Sequence, residues 1–455
     1  MNNRATFPLS IRVMSVFCVS AVLVPFMGSA FNLTLPQIAL RFSFTSTSLA
    51  WFNTAFVIAA ALFQLPFAKL GDKYGRRKIY SLGLAGLAVT LFISPLSPNT
   101  AILICLRFIS GIFAAMFFAT GMAILVAVVH PSNRAKALAI NVAAVYSALA
   151  AGPVLGGFLA EHFGWQSIFY FTGAVSIAAF LTANLWIERQ EPIDRGERFD
   201  FAGALLFGIA LIAIIYGFTA IPKPRGFISL IIGVPAMAAF ICYELKISAP
   251  IINIRLFTEN HLFAFSNLAA LINYSASAST TFMISLHLQF VLGFRETTAG
   301  LALISQAILQ VAASLAAGKL SERFTPAKLA TAGMLFSAAG LFGLIFTTAS
   351  TPASYIIANL MLTGLGFGLF SSPNTNAIMS SVDKRYYGQA SAVTATMRQV
   401  GMSFSMGMAG LFLSIFIGDM EVSAAVAPFF LSALRWVFIV SFIMCLAGAY
   451  CSGKR

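Results

Sequence analysis

The chain has 455 residues, of which 59% are hydrophobic and only 9% charged, and its formal net charge is +14. A soluble domain usually carries about a quarter charged residues, so this chain lacks the polar surface to cover a water-facing body. With a mean hydropathy of +0.89, lipid is the solvent most of its surface has to satisfy.

Apolar runs of about 20 residues, enough to cross a bilayer core, recur along the whole chain. Broken at charge clusters, Pro/Gly and polar turns, they predict fourteen helical spans. In chain order these lie near 12–35, 48–68, 79–96, 100–128, 136–159, 166–187, 200–221, 226–245, 261–289, 297–318, 327–348, 353–378, 389–416 and 428–451. The first run follows Arg4 and Arg12 but is too long for a cleaved leader, so an uncleaved first helix is expected. The five cysteines (Cys18, Cys105, Cys242, Cys445 and Cys451) sit in or beside apolar runs without metal or disulfide spacing, and read as packing residues.

Loop cations orient the chain. Alternate loops, counted from the N-terminus, hold Arg4 and Arg12, then the Lys69–Lys78 cluster, Arg134 and Lys136. They continue with Arg189, Arg195 and Arg198, Lys246 and Arg255, Lys319, Arg323 and Lys328, Lys384 and Arg385, and finally Lys454 and Arg455. The opposite loops hold only Arg41, Lys223, Arg225 and Arg295. Positive loops stay inside, so both termini are expected in the cytoplasm of a multi-pass plasma (inner) membrane protein. Cations scattered over short loops make no continuous stripe, which argues against nucleic acid as a partner.

The loop KLGDKYGRRK (Lys69–Lys78) reappears as KLSERFTPAK (Lys319–Lys328). Lys, Leu, an acid, a base, an aromatic and a final Lys fall in register. The match predicts two six-helix halves, residues 1–195 and 259–455, flanking an inserted helix pair at 196–258. Repeats of this kind build transporters with a substrate site between halves near the midplane. Nothing resembles a P-loop, and four scattered histidines with no buried acid give no catalytic or metal cluster. Neither an enzyme nor a cofactor is expected.

Several motifs carry a resemblance. KLGDKYGRRK resembles the major facilitator loop signature G-x-L-A-D-x-x-G-R-R. ICLRFISGIFAA (Ile104–Ala115) resembles its R-x-x-x-G signature, with Arg107 and Gly111 in place. AGPVLGGFLAEHFGWQSIF (Ala151–Phe169) resembles the antiporter signature G-P-x-x-G-G followed by G-W. FDFAGALLFG, APIINIRLF and GQASAVTATMRQVG are also similar to the fourteen-helix drug:proton antiporter family. The resemblance implies an all-α major facilitator fold and a monomeric secondary transporter that effluxes small, drug-like molecules against protons. It also implies a latch built from Gly71, Asp72, Gly75, Arg76, Arg77 and Arg134. The residues themselves also allow a static loop, with Gly71 and Gly75 forming the turn and Asp72 accepting hydrogen bonds. Gly152, Pro153, Gly156 and Gly157 likewise read either as tight packing of a kinked helix or, by resemblance, as an exporter's signature.

One departure stands out. The family pattern L-D-x-T-I-V-N-V-A-L-P reads here FMGSAFNLTLP (Phe26–Pro36), which puts Met27 at the acid position. By helix rise Met27 lies about 21 Å along the first helix, close to the depth of Arg107, itself about 9 Å into its span. Arg107 is then expected either to favour an anionic or hydrogen-bonding substrate or to reach a carbonyl, Asn32 or water. Proton coupling through a first-helix carboxylate is not expected. Other cavity candidates are Asn32, Gln64, Asn141, Tyr146, Asn273, Tyr274, Gln306, Gln310 and Arg398, each also able to bond a neighbouring helix. His287 reads as a structural or vestibular residue more than as a coupling site. Alternatives to export are a facilitator or symporter of a small organic anion, or a non-transporting receptor.

Overall fold

The computed structural model describes residues 11–129, 134–188, 200–247, 250–252, 254–321, 323–382, 387–418 and 426–454. Among them are fifteen α-helices and no strand. The first eight are α1 (Ile11–Phe42), α2 (Ser46–Tyr74), α3 (Arg76–Ile93), α4 (Thr100–Val128), α5 (Arg134–Phe163), α6 (Gln166–Trp186), α7 (Phe201–Ala220) and α8 (Pro224–Glu244). The short α9 (Arg255–Glu259) precedes α10 (His261–Leu286), α11 (Glu296–Leu320), α12 (Pro326–Leu344), α13 (Ala353–Ser380), α14 (Tyr387–Phe416) and α15 (Ala427–Gly453).

Helix ends follow local chemistry. Thr45, Asn99, Asp200, Asn260 and Thr325 each accept a backbone N–H of the first turn, and Pro224 and Pro326 start helices where no donor is lost. Gly75, at φ 97°, makes the single-residue break between α2 and α3 that a side chain would resist.

Twelve described helices are long and apolar enough to cross a membrane. The fourteen spans expected from run length are therefore not all matched: α5 and α10 are absent from the twelve. For α10 the reason is composition. It buries Ser266, Asn267, Asn273, Ser275, Ser279, Thr280 and Ser285 against other helices, and a helix shielded from lipid can hold such groups. In contrast, α7 and α8 are apolar and turn most of their surface outward, as lipid-facing helices must. Cys105 and Cys242 are exposed rather than packed, whereas Cys445 is buried; all five thiols are free.

The packing repeats. In α1–α6 the principal contacts are α1 with α5, α2 with α4, α3 with α4, α3 with α6, and α1 with α6. In α10–α15 they are α10 with α14, α11 with α13, α12 with α13, α12 with α15, and α10 with α15. The correspondence extends to single atoms. A Cβ at Gly111 of α4 would strike the Phe56 carbonyl of α2, and one at Gly364 of α13 would strike the Gln306 carbonyl of α11. Phe56 and Gln306 are separated by the same 250 residues as Lys69 and Lys319 of the repeated loop. The two sets meet through α2 with α14 and α5 with α11, with smaller contacts of α1 against α10 and α11. The α7–α8 hairpin rests on α14 and α2.

Candidate functional site

Arg107 lies at the centre of the first set, 1% exposed, among residues of α1 and α2. It gets there because Gly111, one turn further along α4, lets that helix close onto α2, where Ala59 Cβ would stand 2.7 Å from any added Cβ. The Arg107 Nε donates to the Phe52 carbonyl at 3.2 Å, and Nη1 points to the Met27 sulfur at 3.7 Å. Three rings surround the guanidinium, with Phe31, Phe52 and Phe56 centroids 4.6, 4.7 and 4.7 Å from Cζ. Ring faces attract a desolvated cation by about 2 kcal/mol or more, so the cage and one carbonyl hold a charge that has no carboxylate partner among the described residues. The repeat counterpart of Arg107, one turn before Gly364, is the buried aliphatic Leu360. This cation therefore breaks the symmetry of the two sets. Beside it, Asn53 donates through Nδ2 to Asn32 Oδ1 at 2.9 Å, and Ser285 of α10 donates to the Asn32 carbonyl at 2.8 Å, joining the sets.

The glycines of α5 face two ways. A Cβ at Gly156 would fall 2.6 Å from Ala30 Cβ, and one at Gly152 would strike Ser29; both close α5 onto α1. Gly157 faces the other set, where a Cβ would sit 2.6 Å from the Glu296 carbonyl oxygen, and Pro153 presents its carbonyl to Gly300 of α11. Polar groups finish this seam. Gln37 Nε2 donates to Glu296 Oε1 at 2.8 Å and to the Ala160 carbonyl at 3.2 Å. The Thr297 N–H donates to Glu161 Oε2 at 3.3 Å, and Arg295 pairs with Glu161 at 3.5 Å. The end of the bundle bearing Gln37, Glu161 and Glu296 is thus stitched across the two sets.

A family model described as the Major Facilitator Superfamily matches residues 17–406 and 266–452, which is nearly the whole chain. The chain belongs to that superfamily. Among similar proteins, the riboflavin transporter RibZ of Clostridioides difficile is 28% identical over 400 residues, covering 87% of this chain and 86% of that one. The multidrug efflux pump LfrA of Mycolicibacterium smegmatis is 25% identical over 426 residues, covering 91% and 83%. A solved structure of a bacterial homologue of the human lysosomal transporter Spinster, inward-facing and unoccupied, superposes with a TM-score of 0.71. It shares 16% identity and covers 98% of this chain and 97% of that one, a likeness of fold.

Within this major facilitator fold the predicted residues separate. Arg107 and Asn32 come together, with Met27 fully buried against the guanidinium. Asn141 bonds the Phe17 carbonyl and Asn273 the Met334 sulfur, each tying helices within one set. Gln306 accepts from Thr281 at 3.3 Å, and the Gln310 carbonyl packs against Gly368. Gln64 is buried on α2, while Tyr274 and Arg398 are half-buried on α10 and α14. His287 is wholly buried in a π-helical turn after α10, and neither ring nitrogen has a partner among the described residues. In the loop motif, Gly71 packs on Thr120 of α4 and Arg77 donates to the Asn184 carbonyl of α6 at 2.6 Å. Arg76 is half-buried, and the side chains of Asp72, Arg134 and Tyr146 lie outside the described residues.

One buried group is not apparent from the sequence. No buried acid is expected, yet Asp200 and Glu244, at helix ends, are 5% and 2% exposed and face each other at the base of the α7–α8 hairpin. The signal was present: two acids bracket two antiparallel helices of nearly equal length, so the hairpin returns the second to the first.

Proposed function

We propose that this chain is a secondary transporter exporting small organic compounds by alternating access. Residues 1–195 and 259–455 act as the two moving halves, 196–258 as an inserted hairpin, and both termini face the cytoplasm. The observation that carries the reading is the seam of α5 against α11. Gly152 and Gly156 of the G-P-x-x-G-G motif pack α5 onto α1, whereas Gly157 and the Pro153 carbonyl lie between the two helix sets, against Glu296 and Gly300 of α11. A close, side-chain-free contact between sets can open and reclose as they rock. The loop-cation bias supports an orientation in which the stitched Gln37–Glu161–Glu296 end faces outward, leaving the opposite end as the cytoplasmic mouth. The efflux pump among its relatives supports the direction, and the riboflavin transporter supports a planar organic solute as a first substrate to try. Arg107 is the residue proposed to shape the site, as a caged cation that fixes α1, α2 and α4 beside Asn32. The loop from Gly71 to Arg77 with Arg134 is proposed as the latch.

The test is transport in proteoliposomes, with and without an imposed pH gradient, using riboflavin, a cationic dye and an organic anion. Expected is movement of at least one solute, outward with respect to the cytoplasmic face, lost in Gly157→Leu. No movement of any of the three, or retention of full rate in Gly157→Leu, overturns the proposal.

A further inference from the structure

The buried carboxyl pair of Asp200 and Glu244 has an arrangement that only a proton completes. Asp200 caps α7: its Oδ1 accepts the Gly203 N–H at 2.8 Å and the Tyr243 hydroxyl at 3.2 Å. Glu244 closes the last turn of α8, and its Oε2 accepts the Ile252 N–H at 3.0 Å. That leaves one oxygen on each, Asp200 Oδ2 and Glu244 Oε1, buried without a donor among the described residues. These two oxygens converge, since a methyl group added at Gly203 would strike both. Two carboxylates cannot face one another in a dry contact, whereas one carboxyl and one carboxylate share a hydrogen bond.

We propose that Asp200 and Glu244 form a single-proton binding site at the base of the α7–α8 hairpin. The proton resides on Glu244 Oε1 and is donated to Asp200 Oδ2. Helix electrostatics decide which partner holds it. Asp200 sits at a helix N-terminus, where backbone dipoles favour an anion, and Glu244 sits at a C-terminus, where they oppose one. The assignment also fits the remaining bonds. The carbonyl oxygen of a protonated Glu244 still accepts from Ile252, and the Asp200 carboxylate still accepts from Gly203 and Tyr243. The other groups facing the pair are few. Tyr243 comes from α8, and Lys69 comes from α2 near enough to act on Glu244; its Nζ donates to the Pro250 carbonyl at 3.2 Å.

The site connects two moving parts. Residues 250–252 lie in the segment joining α8 to α9, held at one end by Lys69 of the KLGDKYGRRK stretch and at the other by Glu244. Loss of the proton places two like charges in contact and offers Lys69 a carboxylate in place of a carbonyl. Release therefore loosens the 250–252 segment and α2 together. This gives the chain a proton-responsive element that does not pass through the first helix, where Met27 supplies no acid. The inference does not depend on which solute is moved or in which direction.

Infrared difference spectra of the full-length protein in lipid vesicles, stepped between about pH 5 and pH 9, test it with the proton as the only probe. The wild type is expected to show a protonated-carboxyl band that titrates in this range. Glu244→Gln removes the band, because the amide keeps both the donor to Asp200 and the acceptor for Ile252. Asp200→Asn retains the band but moves its midpoint to lower pH, since Glu244 no longer faces an anion. Amide exchange at Ile251 and Ile252, corrected for intrinsic rate, is expected to rise severalfold at high pH in the wild type and to stay flat in Glu244→Gln. A wild type without such a band, a band that survives Glu244→Gln, an unmoved midpoint in Asp200→Asn, or exchange that ignores pH overturns the proposal.

Discussion

Arg107 poses the residue-scale problem of keeping a cation in a membrane bundle without an acid. Three ring faces, one carbonyl and a thioether answer it. Lysine is a compact point charge that cannot lie flat among three rings while bonding Phe52, so Arg107→Lys is not conservative here. Arg107→Ala is expected to lower unfolding stability by about 2–4 kcal/mol, from lost ring contacts and an unfilled cavity. Met27→Glu adds the missing carboxylate beside the guanidinium. A double-mutant cycle between the two positions is expected to show at least about 1 kcal/mol of coupling, because the introduced carboxylate without Arg107 is a buried, unpaired charge. Chemical denaturation in detergent reads all four corners; additive effects would show that the two positions do not sense each other.

At the scale of elements, glycines decide how close helices come and therefore what their other side chains can reach. Gly111 sets the α4–α2 distance that delivers Arg107 to its cage. Gly111→Ala is expected to cost about 1–3 kcal/mol by overpacking against the Phe56 carbonyl and Ala59, and to lose the coupling between positions 27 and 107. Gly157 sets the α5–α11 distance instead. Gly157→Ala should leave each helix set intact but wedge the stitched seam open. A cysteine at position 37, in a background lacking the five native thiols, is then expected to react severalfold faster with an impermeant maleimide. An unchanged rate would show that the seam tolerates a methyl group. The element scale is also where the sequence was most readable: a charge cluster, a Pro or a Gly marks nearly every helix end, since a backbone that leaves a helix needs a cap or a permissive residue. The paired acids at 200 and 244 were less readable because each looks like an ordinary helix-end residue until the hairpin folds.

For the whole molecule the prediction concerns rocking. Gln37 and Glu296 bond across the two helix sets at 2.8 Å. Cysteines placed at both positions in the same thiol-free background are expected to cross-link under mild oxidation and to stop transport. Reduction should restore it. Transport that continues with the link intact would rule out opening at this seam. The internal symmetry explains why only certain contacts matter for such a motion. The α2–α14 and α5–α11 contacts are equivalents of each other under the repeat, so a rigid rotation of one set against the other changes both at once. Contacts inside each set are unaffected.

The sequence by itself determined that the chain lives in lipid, that it repeats, and where most helices lie. Hydropathy, loop charge and the Lys69 and Lys319 loops are local or periodic signals that need no neighbours to be read. It also pointed to the major facilitator superfamily, through motifs spread over nearly the whole chain. The tertiary structure decided what those signals could not carry. It gave Arg107 aromatic rings and a carbonyl as partners because Met27 and three phenylalanines from two helices converge on it. It buried most of the Ser, Asn and Thr side chains of α10 against other helices. It brought Asp200 against Glu244, which are 44 positions apart in the chain. In each case the deciding quantity is which side chains share a desolvated space, and that follows only from packing.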